Sequence, residues 1–476
     1  MTPFPNPRIL TATAFASLAL ASCAVGPKAP DATLPPSASG AFISATPAVT
    51  AGAARDDWWR LYADPTLDGL IRQALAENNE LEAAEANLRR VRAALGEARV
   101  GRLPSTSVSA TGQYGRASAA TVPGGNGGQP LDEGESYDVG LDVAYEIDLF
   151  GRVGGSIRAA RADADAAAAA LDVVRVTVAA ETARAYADAC SANAQIAVAE
   201  RTIELQSDSV DLTQRLLDAG SGNGLDTARA RSALESSRAG LPPLRAQRDG
   251  ALFRLATLTG RTPAEASEAA RACRRPPQLS QPIPIGDGAQ LLARRPDVRR
   301  AERNLAAAAA RVNVATADLF PRITLGGSLG STALDAGDLS SDSSFRFSVG
   351  PLISWSFPNV FAARARIEQA SAGSDAALAT FDQTVLVALQ ETETALANYA
   401  NELDRRAALQ AARDQAATAA RLSRLRFDAG ADSFLTVLDA ERTLAGADAQ
   451  LAASDALVTT YQIALFKALA GGWNEG

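Results

Sequence analysis

The sequence predicts a mainly α-helical fold, built twice, with four β-strands set between its helices. Three observations carry this. Ser156–Ala219 runs without a Gly or Pro and is rich in Ala, Leu, Arg, Asp and Glu, so nothing inside it breaks a helix. Ala362–Ala429 is a second such run, with one Gly and no Pro. The segments that precede the two runs match each other at a constant offset of 217 residues. Internal repetition of this kind marks an architecture made of copies.

At about 1.5 Å rise per residue, the first run makes a helix roughly 95 Å long. Gly220 stops it, and Asp226 opens a return run towards Gly260. The result is a long helical hairpin with its tip at Asp218–Asp226. In the second run Leu378, Phe381, Val385, Leu389, Leu396, Tyr399 and Leu403 recur at spacings of three, four and seven, a coiled-coil seam. Gly430 stops it and Phe434–Ala470 returns. The tips align, Asp218-Ala219-Gly220 on Asp428-Ala429-Gly430, then Leu225 on Leu435 and Leu234 on Leu444. The far ends align as Ala251-Leu252-Phe253-Arg254 on Ala464-Leu465-Phe466-Lys467. Pro242-Pro243 in the first return run should kink or break that helix.

The chain has 476 residues, 47% hydrophobic and 21% charged, with a formal net charge of −8. That length suggests about three domains, but the repeat argues for one body built twice. The acidic balance gives no footprint for nucleic acid. There is no His, which excludes Ser-His-Asp and Cys-His catalysis and any His-ligated metal. Cys23, Cys190 and Cys273 are too few and too scattered to read as a disulfide framework. Cys190 and Cys273 read only as small buried residues.

Taken in order, residues 1–22 read as a secretory signal, with Arg8 before the apolar stretch Ile9–Ala21, which is too short to span a bilayer. Leu20-Ala21-Ser22-Cys23 resembles a bacterial lipobox, which makes Cys23 the lipid-bearing first mature residue. Ala24, which is not Asp, favours outer-membrane sorting by the same resemblance. Residues 23–55, rich in Pro, Ala, Ser and Thr, read as a tether with little to bury. Trp58-Trp59 marks the start of the folded body and reads as core.

The first repeat spans 56–260. Leu67–Leu103 reads as a helix. Its later part pairs with the second copy as Leu81 with Val298, Glu85 with Glu302, Asn87 with Asn304, Leu88 with Leu305, Ala98 with Ala315 and Pro104 with Pro321. After each of those prolines the hydrophobic period changes from 3.6 to 2. Strands are expected at 105–116, 136–148, 322–331 and 344–357, each about ten residues, long enough to cross a bilayer when tilted. Tyr114, Tyr145, Phe345 and Trp355 lie towards the strand ends, as interface aromatics do. The alternative is a soluble antiparallel sheet with one face buried. The charged face of the second strand, Asp138, Asp142, Glu146 and Asp148, and the lipid anchor favour the membrane. Four strands cannot close a barrel and open edges cannot sit in lipid, so spanning strands require an oligomer. The long hairpins cover 152–260 and 362–470. The Pro-rich connector, 261–290, should wrap the middle of the helical body. The second repeat covers 291–471, and 472–476 is a short tail.

Cys23-Ala24-Val25-Gly26-Pro27, Trp58-Trp59, Tyr145-Glu146-Ile147-Asp148-Leu149-Phe150-Gly151-Arg152, Arg295-Pro296-Asp297-Val298, Ala317-Asp318-Leu319-Phe320-Pro321 and Leu435-Thr436-Val437-Leu438-Asp439-Ala440 together resemble the TolC-like outer-membrane efflux family. They span nearly the whole chain in order. The nearest branch is the lipoprotein one of resistance-nodulation-division systems, the OprM-like or NodT-type proteins. The resemblance implies a homotrimer whose strands form one shared 12-stranded outer-membrane β-barrel, continued through the periplasm by an α-barrel of the duplicated hairpins. It implies a passive exit duct, with no enzyme activity and no cofactor, that works with a periplasmic adaptor (a membrane fusion protein) and an inner-membrane resistance-nodulation-division pump. It also implies site residues. Thr436 and Asp439 fall on ring positions of the periplasmic gate, Thr standing where some members carry Asp. Asp226 falls on a gating acid, and Phe427 stands where its usual Tyr partner would be and lacks the hydroxyl. Gly220 and Gly430 fall on the tips where adaptor hairpins dock. Two other readings stay in play: a structural outer-membrane lipoprotein without a pore (a coiled-coil tether or adhesin), and a type I protein-secretion duct.

Overall fold

The computed structural model describes residues 30, 32–116, 118, 132–279, 281–355 and 360–469. The signal, the lipobox with Cys23, Phe357 and the tail at 472–476 lie outside the described residues, as does most of the loop before the second strand. The α-helices are α1 Pro65–Glu77, α2 Asn79–Val100, α3 Arg152–Asp218, α4 Gly224–Leu258, α5 Glu268–Arg271, α6 Gly288–Arg294, α7 Pro296–Ala317, α8 Val360–Asp428 and α9 Phe434–Leu469. The strands are β1 Val49–Thr50, β2 Ser105–Gly115, β3 Gly134–Ile147, β4 Ile283–Pro284, β5 Arg322–Ala333 and β6 Phe345–Ser354. The offset of 217 links both ends of α2 to both ends of α7. Two compact units result. One holds Arg89–Ala166 and Glu302–Thr380; the other holds Thr33–Leu88, Ala167–Ala301 and the chain from Phe381 on.

The first unit is organised by a four-stranded antiparallel sheet of order β2-β3-β5-β6. Its ladders are long and unbroken, from Ser105↔Ala144 to Gly115↔Gly134, from Ile147↔Ile323 to Tyr137↔Ala333, and from Arg322↔Ser354 to Ser331↔Phe345. Below the sheet Leu95, Val153, Ile157 and Ala164 make a small core. At a separate contact, a Cβ on Gly155 would lie 2.9 Å from Val314 Cγ2, so the missing side chain lets α3 and α7 approach closely. Asp148 was expected on the charged strand face. It lies beyond the end of β3 and accepts the Val153 and Gly154 N–H groups at 2.9 and 2.7 Å. The unpaired N–H groups of a helix start draw a carboxylate there.

The second unit packs its long helices around Trp58, Tyr62, Leu67, Ile71, Leu252, Leu255, Leu396, Leu465 and Phe466. Trp58 is 1% exposed and stacks on Phe466 at 4.8 Å. Arg295, at the start of α7, bonds Asp297 and Glu391 and reaches the Ala468 carbonyl at 3.2 Å. Burial works against the Asp297 anion, but the Arg295 hydrogen bonds and charge hold its carboxyl below the usual range.

Four expectations need correction in this unit. Leu67–Leu103 is not one helix. Asn78 separates α1 from α2, because its Oδ1 accepts Glu80 N–H and Leu81 N–H at 2.9 and 3.1 Å and its Nδ2 reaches the Leu258 carbonyl. A buried Asn with a cap and a tertiary partner outcompetes helix continuation. Pro242-Pro243 does not break α4, which stays helical through both. The prolines and the residues one turn before them are exposed, so water satisfies the carbonyls that lose their N–H donors. The segment before Trp58 is not a free tether. Phe42 joins the core, the Ile43 and Ser44 N–H groups bind Glu393 at 2.8 and 3.0 Å, and β1 pairs in parallel with β4 of the connector. Finally, Cys190 and Cys273 form a disulfide, with Cα atoms 5.1 Å apart, which ties the connector to the middle of α3.

Candidate functional site

Two places have the geometry for function: the faces of the sheet and the tips of the hairpins. Side chains alternate along a strand, and directly paired residues share a face. The registers therefore sort the sheet. One face carries Ser105, Ser107, Ser109 and Thr111 of β2, Asp138, Gly140, Asp142 and Glu146 of β3, Thr324, Ser328, Gly330 and Thr332 of β5, and Arg346 and Ser348 of β6. Leu352 is its one large apolar residue. The other face carries Val108, Val139, Leu141, Val143, Tyr145, Leu325, Leu329, Phe347, Val349 and Ile353, all exposed. Val108, Phe347 and Val349 are each more than 70% exposed. A soluble sheet would cover that face. Among the described residues nothing covers it, and every residue of β2 is exposed on both faces. Among the described residues β2 pairs only with β3, and β6 only with β5, so there both outer edges keep unpaired N–H and C=O groups.

Both tips turn alike. Gly220 and Gly430 have φ of +70° and +73°, the left-handed conformation that ends helices. The Ser221 N–H bonds the Leu216 carbonyl, and the Ala431 N–H bonds the Arg426 carbonyl. A Cβ on either glycine would meet nothing within 4 Å, so both tips are open surface. After the first turn Asn223 caps α4. Its Oδ1 accepts the Asp226 N–H at 2.9 Å, and its Nδ2 donates to Asp226 Oδ2 at 2.8 Å. Asp226 is thus engaged in its own turn. Phe427 packs edge-on against buried Phe434 at 5.8 Å. At the second turn Arg426 grips Asp432 at 2.7 and 3.1 Å, and this hydrogen bond holds the Asp432 carboxyl below its usual range.

Thr436 and Asp439 lie one turn apart on the exposed face of α9, as three-residue spacing requires. Thr436 Oγ1 is 3.4 Å from Ser433 Oγ, and Asp439 accepts from Arg442 at 2.7 Å. Arg442 was readable in sequence, since it stands three residues after Asp439. Two other groups were not. Glu441 of α9 accepts from buried Ser209 of α3 at 2.8 Å and lies 3.4 Å from Arg424 of α8. Arg346 binds Asp138 across 208 residues of sequence. Only the folded registers bring these together. Among the described residues no His, Cys, Asp and Glu cluster suits a metal ion.

The family described as outer membrane efflux protein matches residues 70–261 and 288–471. The chain belongs to this family. It is similar to outer membrane protein OprJ of Pseudomonas aeruginosa, with 31% identity over 470 residues, 97% of this chain and 95% of that protein. It is 32% identical to the pyoverdine export outer membrane protein OpmQ of Pseudomonas aeruginosa, over 88% of each chain. Among solved structures it resembles the outer-membrane channel OprN, with a TM-score of 0.88, 36% identity, and cover of 95% of this chain and all of that one. The open state of the MtrE outer membrane channel of Neisseria gonorrhoeae gives a TM-score of 0.82 at 27% identity, over 94% of this chain and 98% of that one. The outer membrane efflux protein fold and its location in the outer membrane follow. The chain is an efflux channel, and its relatives are channels rather than enzymes.

Proposed function

We propose that this channel is the exit duct of a tripartite efflux system. Three copies join their four-stranded sheets into one 12-stranded barrel, and the duplicated hairpins continue it as a periplasmic α-barrel. The observation that carries this is the sheet with two open edges and a bare apolar face. Unpaired edges cost several kcal/mol per group in lipid, and about eight strands is the smallest barrel known. A copy on either side satisfies both edges, and the polar face then lines the pore. Cys23 carries the lipid; each buried methylene contributes about 0.8 kcal/mol, so several acyl chains hold firmly in the outer-membrane lipid. The hairpin tips at Gly220 and Gly430 receive a periplasmic adaptor, which links the duct to a resistance-nodulation-division pump in the inner membrane. The repeats at 56–260 and 291–471, joined by the connector at 261–290, supply two hairpins per protomer.

At the gate, Asp439 makes the carboxylate ring and Thr436 adds hydroxyls beneath it. Arg442 beside Asp439 tempers that ring. Asp226 acts within the Asn223 turn and without a tyrosine latch. Native mass spectrometry of the detergent-extracted protein tests the assembly: the expected species is a trimer starting at Cys23 with acyl chains, and an unlipidated monomer would remove both anchor and barrel. Bilayer recordings test the gate. Asp439→Ala should weaken block by divalent cations, and unchanged block rules the ring out. A trimer that never conducts would return the chain to a structural lipoprotein.

A further inference from the structure

The polar face of the sheet holds one basic side chain near its loop end, and that side chain is pinned. Arg346 of β6 lies over its row partner Gly330 and reaches Gly140 beyond it. A Cβ on Gly330 would sit 3.3 Å from Arg346 Cζ, and a Cβ on Gly140 would sit 3.2 Å from Arg346 Nη2. Two absent side chains therefore leave a flat track across β5 and β3 for one guanidinium. At its end Asp138 takes it from two sides: Nη2 is 2.8 Å from each carboxylate oxygen, and Nε is 3.1 Å from Oδ2. Thr332 Oγ1 accepts Arg346 Nε at 3.0 Å and donates to Asp138 Oδ2 at 2.7 Å. Ser328 Oγ accepts Nη1 at 3.3 Å. A bidentate pair with every neighbour polar is a geometry that a planar guanidinium fills and an ammonium does not.

The other charges of this face are disposed differently. Glu146 is held by Arg152, and Arg322 by Asp318 at 2.9 Å. Asp142 is exposed, one side-chain row from that of Arg346 and two from that of Asp138, and has no ion pair among the described residues.

We propose that Asp138 is a selectivity-positioning residue. It holds Arg346 flat against the barrel wall, so that the lumen of the outer-membrane segment stays wide and its uncompensated charge is the Asp142 carboxylate. The trimer turns this into three carboxylates facing one water-filled space, and rings of acid favour cations. This rests on the shared-barrel reading above. Freed from Asp138, the three guanidinium groups would extend inward and change both the width and the sign of the segment.

The test is reversal potential and single-channel conductance of the full-length protein in planar bilayers under a potassium chloride gradient. An Asp439→Asn background keeps the periplasmic tip from masking the outer segment. The parent should prefer cations. Asp138→Asn should lower conductance and move the reversal potential towards the chloride potential. Asp142→Asn should shift selectivity the same way without the loss of conductance. Arg346→Gln should shift it towards potassium, and the Asp138→Asn/Arg346→Gln double variant should return to the parent. Gly140→Ala changes no charge; it should lower conductance by lifting the guanidinium from its track. The proposal is overturned if Asp138→Asn leaves both readings at the parent's values, or shifts selectivity with conductance intact. A parent that conducts nothing would instead sink the shared barrel.

Discussion

The two hairpins carry one cross-helix contact at the same place and use it in opposite ways. In the tip register, Gln214 and Arg231 of the first hairpin correspond to Arg424 and Glu441 of the second. Each pair spans 17 residues around its turn, at 2.9 and 3.4 Å. In the first hairpin the bond lies at the exposed surface, and such a contact contributes little. In the second, the acid is turned inward, with its side chain 17% exposed, and takes a hydrogen bond from Ser209 of the first hairpin. The duplicated backbone sets where side chains meet. Which residues stand there decides whether a hairpin merely closes on itself or also fastens to its neighbour.

The far ends of the hairpins differ more, and substitution there should give the largest effect. Leu252 and Leu465 are both fully buried, but the next residue diverges: Phe253 is 46% exposed and Phe466 is 3% exposed. Phe466→Ala removes the ring on which Trp58 stacks and should cost about 3–5 kcal/mol. Phe253→Ala should stay within about 0.5 kcal/mol. Denaturant midpoints of the detergent-solubilised protein check both. Equal losses would mean that the two copies share the core evenly.

A second asymmetry is covalent. Cys190 is bridged to Cys273, and the same tip register places Ala400 opposite Cys190 in the second hairpin. The bridge closes a sequence separation of 83 residues, and removing a native disulfide costs about 2–5 kcal/mol. The Cys190→Ser/Cys273→Ser variant should unfold at a lower denaturant concentration. Dithiothreitol should bring the parent down to that midpoint and leave the variant unmoved. A parent insensitive to reduction would show that the connector is held by packing alone, through Ile283 and Ile285.

How much of this the sequence shows depends on the range of the cause. The ends of α2 and α7 before Pro104 and Pro321 and all four strands of the large sheet follow from local period and from those prolines. Gly220 and Gly430 were legible as stops because the left-handed turn belongs to one residue. Asn78 hid among polar helix formers, since its cap is local but its Leu258 partner is 180 residues away. Pro242-Pro243 misled, because solvent around α4 offsets a cost that the residue type alone overstates. The Cys190–Cys273 and Asp138–Arg346 pairings are products of tertiary packing and strand register, and no spacing announces them. The resemblance singled out Thr436 and Asp439, but nothing in the sequence marked the half-buried acid near them, Glu441.

That acid gives the smallest and most specific way to sharpen the comparison. Burial pushes the Glu441 carboxyl above its ordinary value of 4.5, and the nearby Asp208 adds to this; the Ser209 hydrogen bond and the Arg424 charge pull the other way without winning. Arg424 itself is shared with Asp428 at 3.9 Å, so its charge is divided. A raised folded-state value means that the folded chain binds this proton more tightly than the unfolded one. The stabilisation is then fully present below the unfolded value and is lost as pH rises through the folded one. Acidification from neutrality should therefore tighten the junction between the two hairpins. Glu441→Gln keeps an acceptor for Ser209 and cannot titrate, so the part of the pH dependence that Glu441 supplies should vanish. Arg231→Gln, at the matching position of the first hairpin, should leave the parent's slope intact. Hydrogen exchange of the tip segments between neutral pH and the ordinary carboxylate range reads this directly. If Glu441→Gln protects no differently from the parent across that window, the inward acid does not fasten the second hairpin, and the two tips are alike in mechanics as well as in backbone.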